Sequence, residues 1–114
     1  KLDFVKMQEA SKVLIGTHDF KNYCSMKTDV LSTVRTIYDL NLQKEADMIT
    51  MTITGDGFLY NMVRIIMGAL LKVGTGQKTA ENLKQALESK ERIIVGPTAP
   101  AHGLTLARIC YGKG

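Results

Sequence analysis

Along residues 58–71, FLYNMVRIIMGALL, one side chain carries a charge, and it is Arg64. A guanidinium stays protonated at any accessible pH, so here it must either reach water or be paired; burial without a partner costs several kcal/mol. Its planar fork of donors suits two tasks, holding a catalytic carboxylate or gripping an RNA phosphate. A plainer alternative stands beside both, in which Arg64 snorkels to solvent or pairs with an acid of the same domain. If the run is helical, Tyr60, Asn61, Met67 and Gly68 lie one turn from Arg64, and Asn61, Arg64 and Gly68 form a narrow polar and small strip on an apolar cylinder.

The remaining reactive side chains suggest little chemistry of their own. Cys24 and Cys110 are far apart, with no Cys-x-x-Cys or Cys/His cluster around them. That spacing argues against zinc and against a redox pair, and the expectation is two reduced thiols in a reducing cytoplasm. A formal charge of +4 biases the chain mildly toward anionic partners. The basic residues are dispersed, from Lys1, Lys6 and Lys12 through Arg35 and Lys44 to Lys72 and Lys78, and never form the block of a basic tail. The sequence opens on Lys1, with neither an initiator methionine nor the features of a secretory signal, and is expected to be a piece of a longer chain. Its apolar runs fall short of the ~18 to 20 residues that span a bilayer, so no membrane partner is expected.

The elements that must position Arg64 follow from periodicity. The 114 residues suffice for a single domain, 1–114. Phe4, Met7, Ala10 and Leu14 fall at helical spacing, with Asp3 placed to cap the start and Gly16 to stop the helix. Residues 17–32 read as a loop with one helical turn after His18 and Asp19. Val34, Thr36, Tyr38, Leu40 and Leu42 alternate with Arg35, Ile37, Asp39 and Asn41; after a polar bend at 44–47, Ile49, Met51 and Ile53 alternate with threonines. Two such runs predict an antiparallel hairpin, apolar on one face. Gly55, Asp56 and Gly57 break the strand, and 58–73 resumes as a core helix with Phe58, Met62, Ile66, Leu70 and Val73 on one stripe. Thr79 then caps a third helix that buries Leu83, Ala86 and Leu87, a loop at 96–103 is stiffened by Pro97 and Pro100, and 104–111 forms a last strand. The predicted fold class is α+β, a small, mainly antiparallel sheet with helices packed on one face.

Four stretches carry a resemblance: LIGTHDF (14–20), VRTIYDL (34–40), GFLYNMVRIIMGALLKVGTG (57–76) and GPTAPAHGLTL (96–106). In order and spacing the chain resembles the C-terminal half of the tRNA pseudouridine synthase A family. The resemblance implies half of a pseudouridine synthase fold and an isomerase of tRNA processing that converts uridine to pseudouridine in the anticodon arm. It implies no metal and no cofactor. The partners it implies are tRNA, the N-terminal half of the same enzyme and, for the complete protein, a second copy in a homodimer; the location expected from the reduced thiols is cytoplasmic.

By that resemblance, Arg64 corresponds to the arginine that forms an ion pair with the catalytic aspartate, and Leu104 to the leucine that lines the uracil pocket. The family's aspartate lies in an arginine-x-aspartate motif of the N-terminal half, and this sequence contains no such motif. Asp3, Asp19, Asp29, Asp39, Asp47 and Asp56 all lie in other contexts, and none is assigned as nucleophile. His18 and Asp19 are assigned to turn structure or RNA contact, and His102 to a solvated loop. Ile65 stands where the family often has a polar residue. This chain by itself is therefore expected to be inactive. The alternative is a non-catalytic RNA-binding module in which Arg64, Arg35 and the lysines contact phosphates; a ligand-sensing or purely structural α+β domain is the third reading.

Overall fold

The Asp3 carboxylate accepts the Lys6 backbone N–H at 3.2 Å, and that cap starts helix α1 (Phe4–Ser11). The structure is a computed structural model that describes residues 2–24, 32–45, 48–59, 61–89 and 105–111. Helix α1 buries Met7, Ala10 and Ser11, then tightens into a 3-10 turn, Lys12–Leu14, whose Leu14 is buried. The helix thus ends earlier than its apolar spacing predicts. Gly16 is not its stop: at φ +113° it turns the chain into a short strand, β1 (Gly16–Asp19). The predicted loop over 17–32 therefore contains a strand. Four polar or small residues have no periodicity of their own, and pairing with the next strand decides their state. The helical turn after Asp19 is present, as a 3-10 turn at Lys21–Tyr23.

The hairpin forms as its alternation predicts. Strand β2 (Val34–Glu45) runs antiparallel to β3 (Met48–Gly55), in a register that pairs Leu42 with Met51 and Leu40 with Ile53. The tip of the bend, 46–47, lies outside the described residues. The first half of β2 has the opposite phase to the prediction: Ile37 is 1% exposed, whereas Val34 and Tyr38 are 47% and 41% exposed. The cause is a register shift between Ile37 and Asp39, where the extra residue Tyr38 reverses which positions face the core. Beyond it, Leu40 and Leu42 point inward with Ile49, Met51 and Ile53.

Strand β1 pairs antiparallel with β2, and β4 (Thr105–Tyr111) pairs parallel with β3, so the sheet order is β1-β2-β3-β4. Helices α2 (Met62–Gly74) and α3 (Ala80–Glu88) complete the described elements. The α+β prediction holds: one sheet face carries the buried Ile37, Leu40, Leu42, Ile49, Met51 and Ile53, which share a core with α1, α2 and α3, while the threonines of β3 stay half-buried on the other side. Helix α3 begins with a capping box, Thr79 with Asn82, and buries Leu83, Ala86 and Leu87 as predicted. The turn after β1 grips this helix from below: Asn22 Nδ2 donates to the Ala86 carbonyl at 2.9 Å and the Tyr23 hydroxyl to the Leu83 carbonyl at 2.8 Å. Among the described residues, no helix is long and apolar enough to cross a membrane.

Candidate functional site

Arg64 reaches its place through the connection between β3 and α2. The ladder of β2 and β3 ends at the pair Ile37 and Gly55, yet the chain stays close for one more residue. The Asp56 N–H donates to the Thr36 carbonyl at 3.0 Å, and the Asp56 carboxylate accepts the Thr36 N–H at 2.9 Å. Gly55 permits this approach, since a Cβ there would lie 2.8 Å from the Thr36 carbonyl oxygen and 3.1 Å from the Phe58 ring. Leu59 is then buried, the Met62 N–H returns to the Leu59 carbonyl at 3.0 Å, and the Leu59 N–H lies 3.5 Å from Met62 Sδ.

The helix carrying Arg64 is shorter than predicted. It begins at Met62 and not at Phe58, because Asn61 adopts the left-handed conformation at φ 61° and closes off helical geometry before it. Asparagine tolerates that region better than other side chains, and an apolar period cannot register a single backbone reversal. Four members of the predicted stripe, Met62, Ile66, Leu70 and Val73, are buried; Phe58 packs against the core from outside the helix.

Arg64 itself lies in the first turn of α2 and is half-buried, while Met62, Val63 and every residue from Ile65 to Leu70 are buried. Asn61, Arg64, Leu71 and Lys72 make the less-buried side of this helix, and Gly68 is buried between them. The strip proposed from sequence is real in its direction, although Asn61 stands just before the helix and not in it. A first turn is the positive end of the helix dipole, where an acid is stabilising and a cation is not. No acidic residue occupies that turn. Helix stability therefore does not account for Arg64, and the guanidinium and the dipole together favour an anion at this end.

His18 and Asp19 are occupied with local structure. His18 Nε2 donates to the Ile15 carbonyl at 3.0 Å, and its ring meets the Phe20 ring edge-on at a centroid distance of 5.7 Å. The Asp19 carboxylate accepts the Lys21 N–H at 3.1 Å and the Thr33 hydroxyl, which ties the turn to the start of β2. Arg35 turns its Nη1 back to the carbonyls of Ser32 at 2.9 Å and Val34 at 2.7 Å, beside Gly57. Cys24 is buried, with its thiol 3.5 Å from the Lys21 carbonyl. Among the described residues, no three His, Cys, Asp or Glu side chains gather to hold a metal ion.

Leu104, Tyr60, His102 and the loop 96–103 lie outside the described residues. Of the two site residues expected from the sequence, Arg64 is the one among the described residues. Sequence reasoning missed the pair Thr36 and Asp56. The available signal was Gly55-Asp56-Gly57 between a strand and a helix, which reads from sequence only as a break.

Residues 10–112 match the family model described as tRNA pseudouridine synthase. A protein of Bacillus velezensis named tRNA pseudouridine synthase A is 51% identical over 110 residues, covering 96% of this chain and 44% of its own length. Its namesake in Bacillus subtilis is 51% identical over 111 residues, 97% of this chain and 45% of that protein. The namesake in Acetivibrio thermocellus is 47% identical over 111 residues, 97% of this chain and 46% of that protein. The chain thus spans somewhat less than half the length of the curated relatives it matches.

Proposed function

The chain belongs to the tRNA pseudouridine synthase family, and from that premise we propose that it is the C-terminal half of an enzyme that isomerises uridine to pseudouridine in the anticodon arm of tRNA. Arg64 would hold the catalytic aspartate of the N-terminal half ionised and oriented, and Leu104 would line the uracil pocket. The reaction breaks the bond from ribose to the base nitrogen and rejoins the sugar to a base carbon, and the target base must leave its stack to be reached. A carboxylate facing a guanidinium has its charged form favoured, as a nucleophile or base at the ribose requires. The complete protein would act as a cytoplasmic homodimer without metal or cofactor, and this chain alone would form one domain and be inactive.

The observation that carries this reading is the half-buried Arg64 in the first turn of α2, where its charge adds to the positive end of the helix dipole. The test is Arg64→Ala in the full-length protein, read as pseudouridine formed in unmodified tRNA. Turnover should fall on the order of 100-fold or more, as expected when a buried carboxylate loses its cation, with tRNA affinity nearly unchanged. A variant that keeps its turnover, but binds tRNA more weakly with a salt slope flatter by about one unit, would instead make Arg64 a phosphate contact of an RNA-binding module.

A further inference from the structure

We infer that Asp56 is a positioning residue for Arg64, holding the β3–α2 connection against strand β2 through its reciprocal pair of hydrogen bonds with Thr36. The inference rests on the reading of Arg64 as the partner of a catalytic carboxylate.

The ladder between β2 and β3 ends at Gly55, and a chain released there would leave the sheet at an undefined angle. Asp56 prevents that release. Its N–H donates to the Thr36 carbonyl at 3.0 Å, while its carboxylate takes the Thr36 N–H at 2.9 Å, a bond that a strand neighbour's carbonyl would otherwise make. Because the N–H and carbonyl of Thr36 both face Asp56, its pairing with Thr17 on the other side is the non-hydrogen-bonded kind, in which side chains approach closely. The two threonine hydroxyls are accordingly 2.7 Å apart. Thr36 is thus held from both edges, just before the register shift at Tyr38.

From that fixed point the described residues that lead to Arg64 are each held in place. The close approach at Gly55 leaves no room for a side chain between Thr36 and the Phe58 ring. Leu59 is sunk in the core, the Leu59 carbonyl takes the Met62 N–H, and Asn61 sets the direction of α2 by its left-handed backbone. Arg64 follows within the first helical turn. Asp56 is exposed and contributes little to burial, so its carboxylate matters chiefly for where the connection lies. A site arginine displaced by about 1 Å can lose a large factor in rate without any loss of folding.

The experiment uses the full-length protein, with kcat and KM measured on unmodified tRNA well below the melting temperature of each variant. Asp56→Ala should lower kcat about tenfold, leave KM for tRNA within about twofold and shift Tm by only a few degrees. Asp56→Asn retains an oxygen acceptor for the Thr36 N–H and should bring kcat back to within about threefold of the parent. The idea is overturned if Asp56→Ala keeps the parent kcat while Arg64→Ala is inactive, since the connection then needs no clamp. It is equally overturned if Asp56→Asn is as impaired as Asp56→Ala, which would assign the effect to charge, or if KM rises at constant kcat, which would assign it to RNA contact. Full activity of Arg64→Ala would remove the underlying reading of Arg64 together with the inference, a result distinct from the first three.

Discussion

Tyr23 shows how much a single side chain in an apparently irregular segment can do. Its ring is fully buried and meets Phe20 edge-on at 6.0 Å, and its hydroxyl donates to the Leu83 carbonyl in the middle of α3. Burial pushes the phenol well above its ordinary value near 10. The neutral donor is therefore the form that the fold holds. Tyr23→Phe keeps the ring and removes the donor, and should cost about 1 kcal/mol in urea denaturation at pH 8. The sign of the pH effect follows from the upward shift: the stabilisation is complete below about pH 10, then declines as the unfolded chain ionises first. The gap in unfolding free energy between the parent and Tyr23→Phe should narrow between pH 9 and pH 11; a gap that stayed constant would show that the phenolate is tolerated inside. At the same scale, Arg64 was conspicuous in sequence as a lone charge in an apolar run, whereas the work of Tyr23 depends on a helix 60 residues further along the chain.

Glycines separate two kinds of close approach between elements. At Gly55 a Cβ would meet backbone, the Thr36 carbonyl oxygen, at 2.8 Å. At Gly74, where α2 ends beside α1, a Cβ would meet Met7 Sδ at 2.7 Å and a Leu2 methyl at 3.0 Å, both of them side-chain atoms. Backbone in a paired strand cannot move without breaking its ladder, whereas a methionine has rotamers to spare. Gly55→Ala should therefore destabilise by about 2 to 3 kcal/mol and Gly74→Ala by less, a ranking that thermal melts of the two variants can check. Elements with strong periods were legible from sequence. The hairpin, the cap at Asp3 and the whole of α3 came from alternation, spacing and cap chemistry. Strand β1 and the phase of the first half of β2 did not, because a four-residue strand has no period and the bulge at Tyr38 exists only in the pairing with β3. The start of α2 was misplaced for a related reason, a single left-handed residue inside a continuous apolar run.

At the scale of the molecule, the described residues form one sheet with the helices on one side and a cation brought to the less-buried side of α2. If the active site is divided between two halves of a longer protein, this chain incubated alone with unmodified tRNA should form no detectable pseudouridine, and product formation would reveal a nucleophile within these residues. Sequence by itself determined the family, the α+β class and the candidacy of Arg64, because motif spacing, amphipathic period and an isolated charge are local properties of the chain. Tertiary structure decided what those residues do to one another. It placed Arg64 in a first helical turn, turned Arg35 back onto its own strand, gave Asp19 to a turn and made Asp56 a clamp on Thr36. These assignments depend on pairing register and on backbone reversals between residues distant in the chain, and no local pattern encodes them.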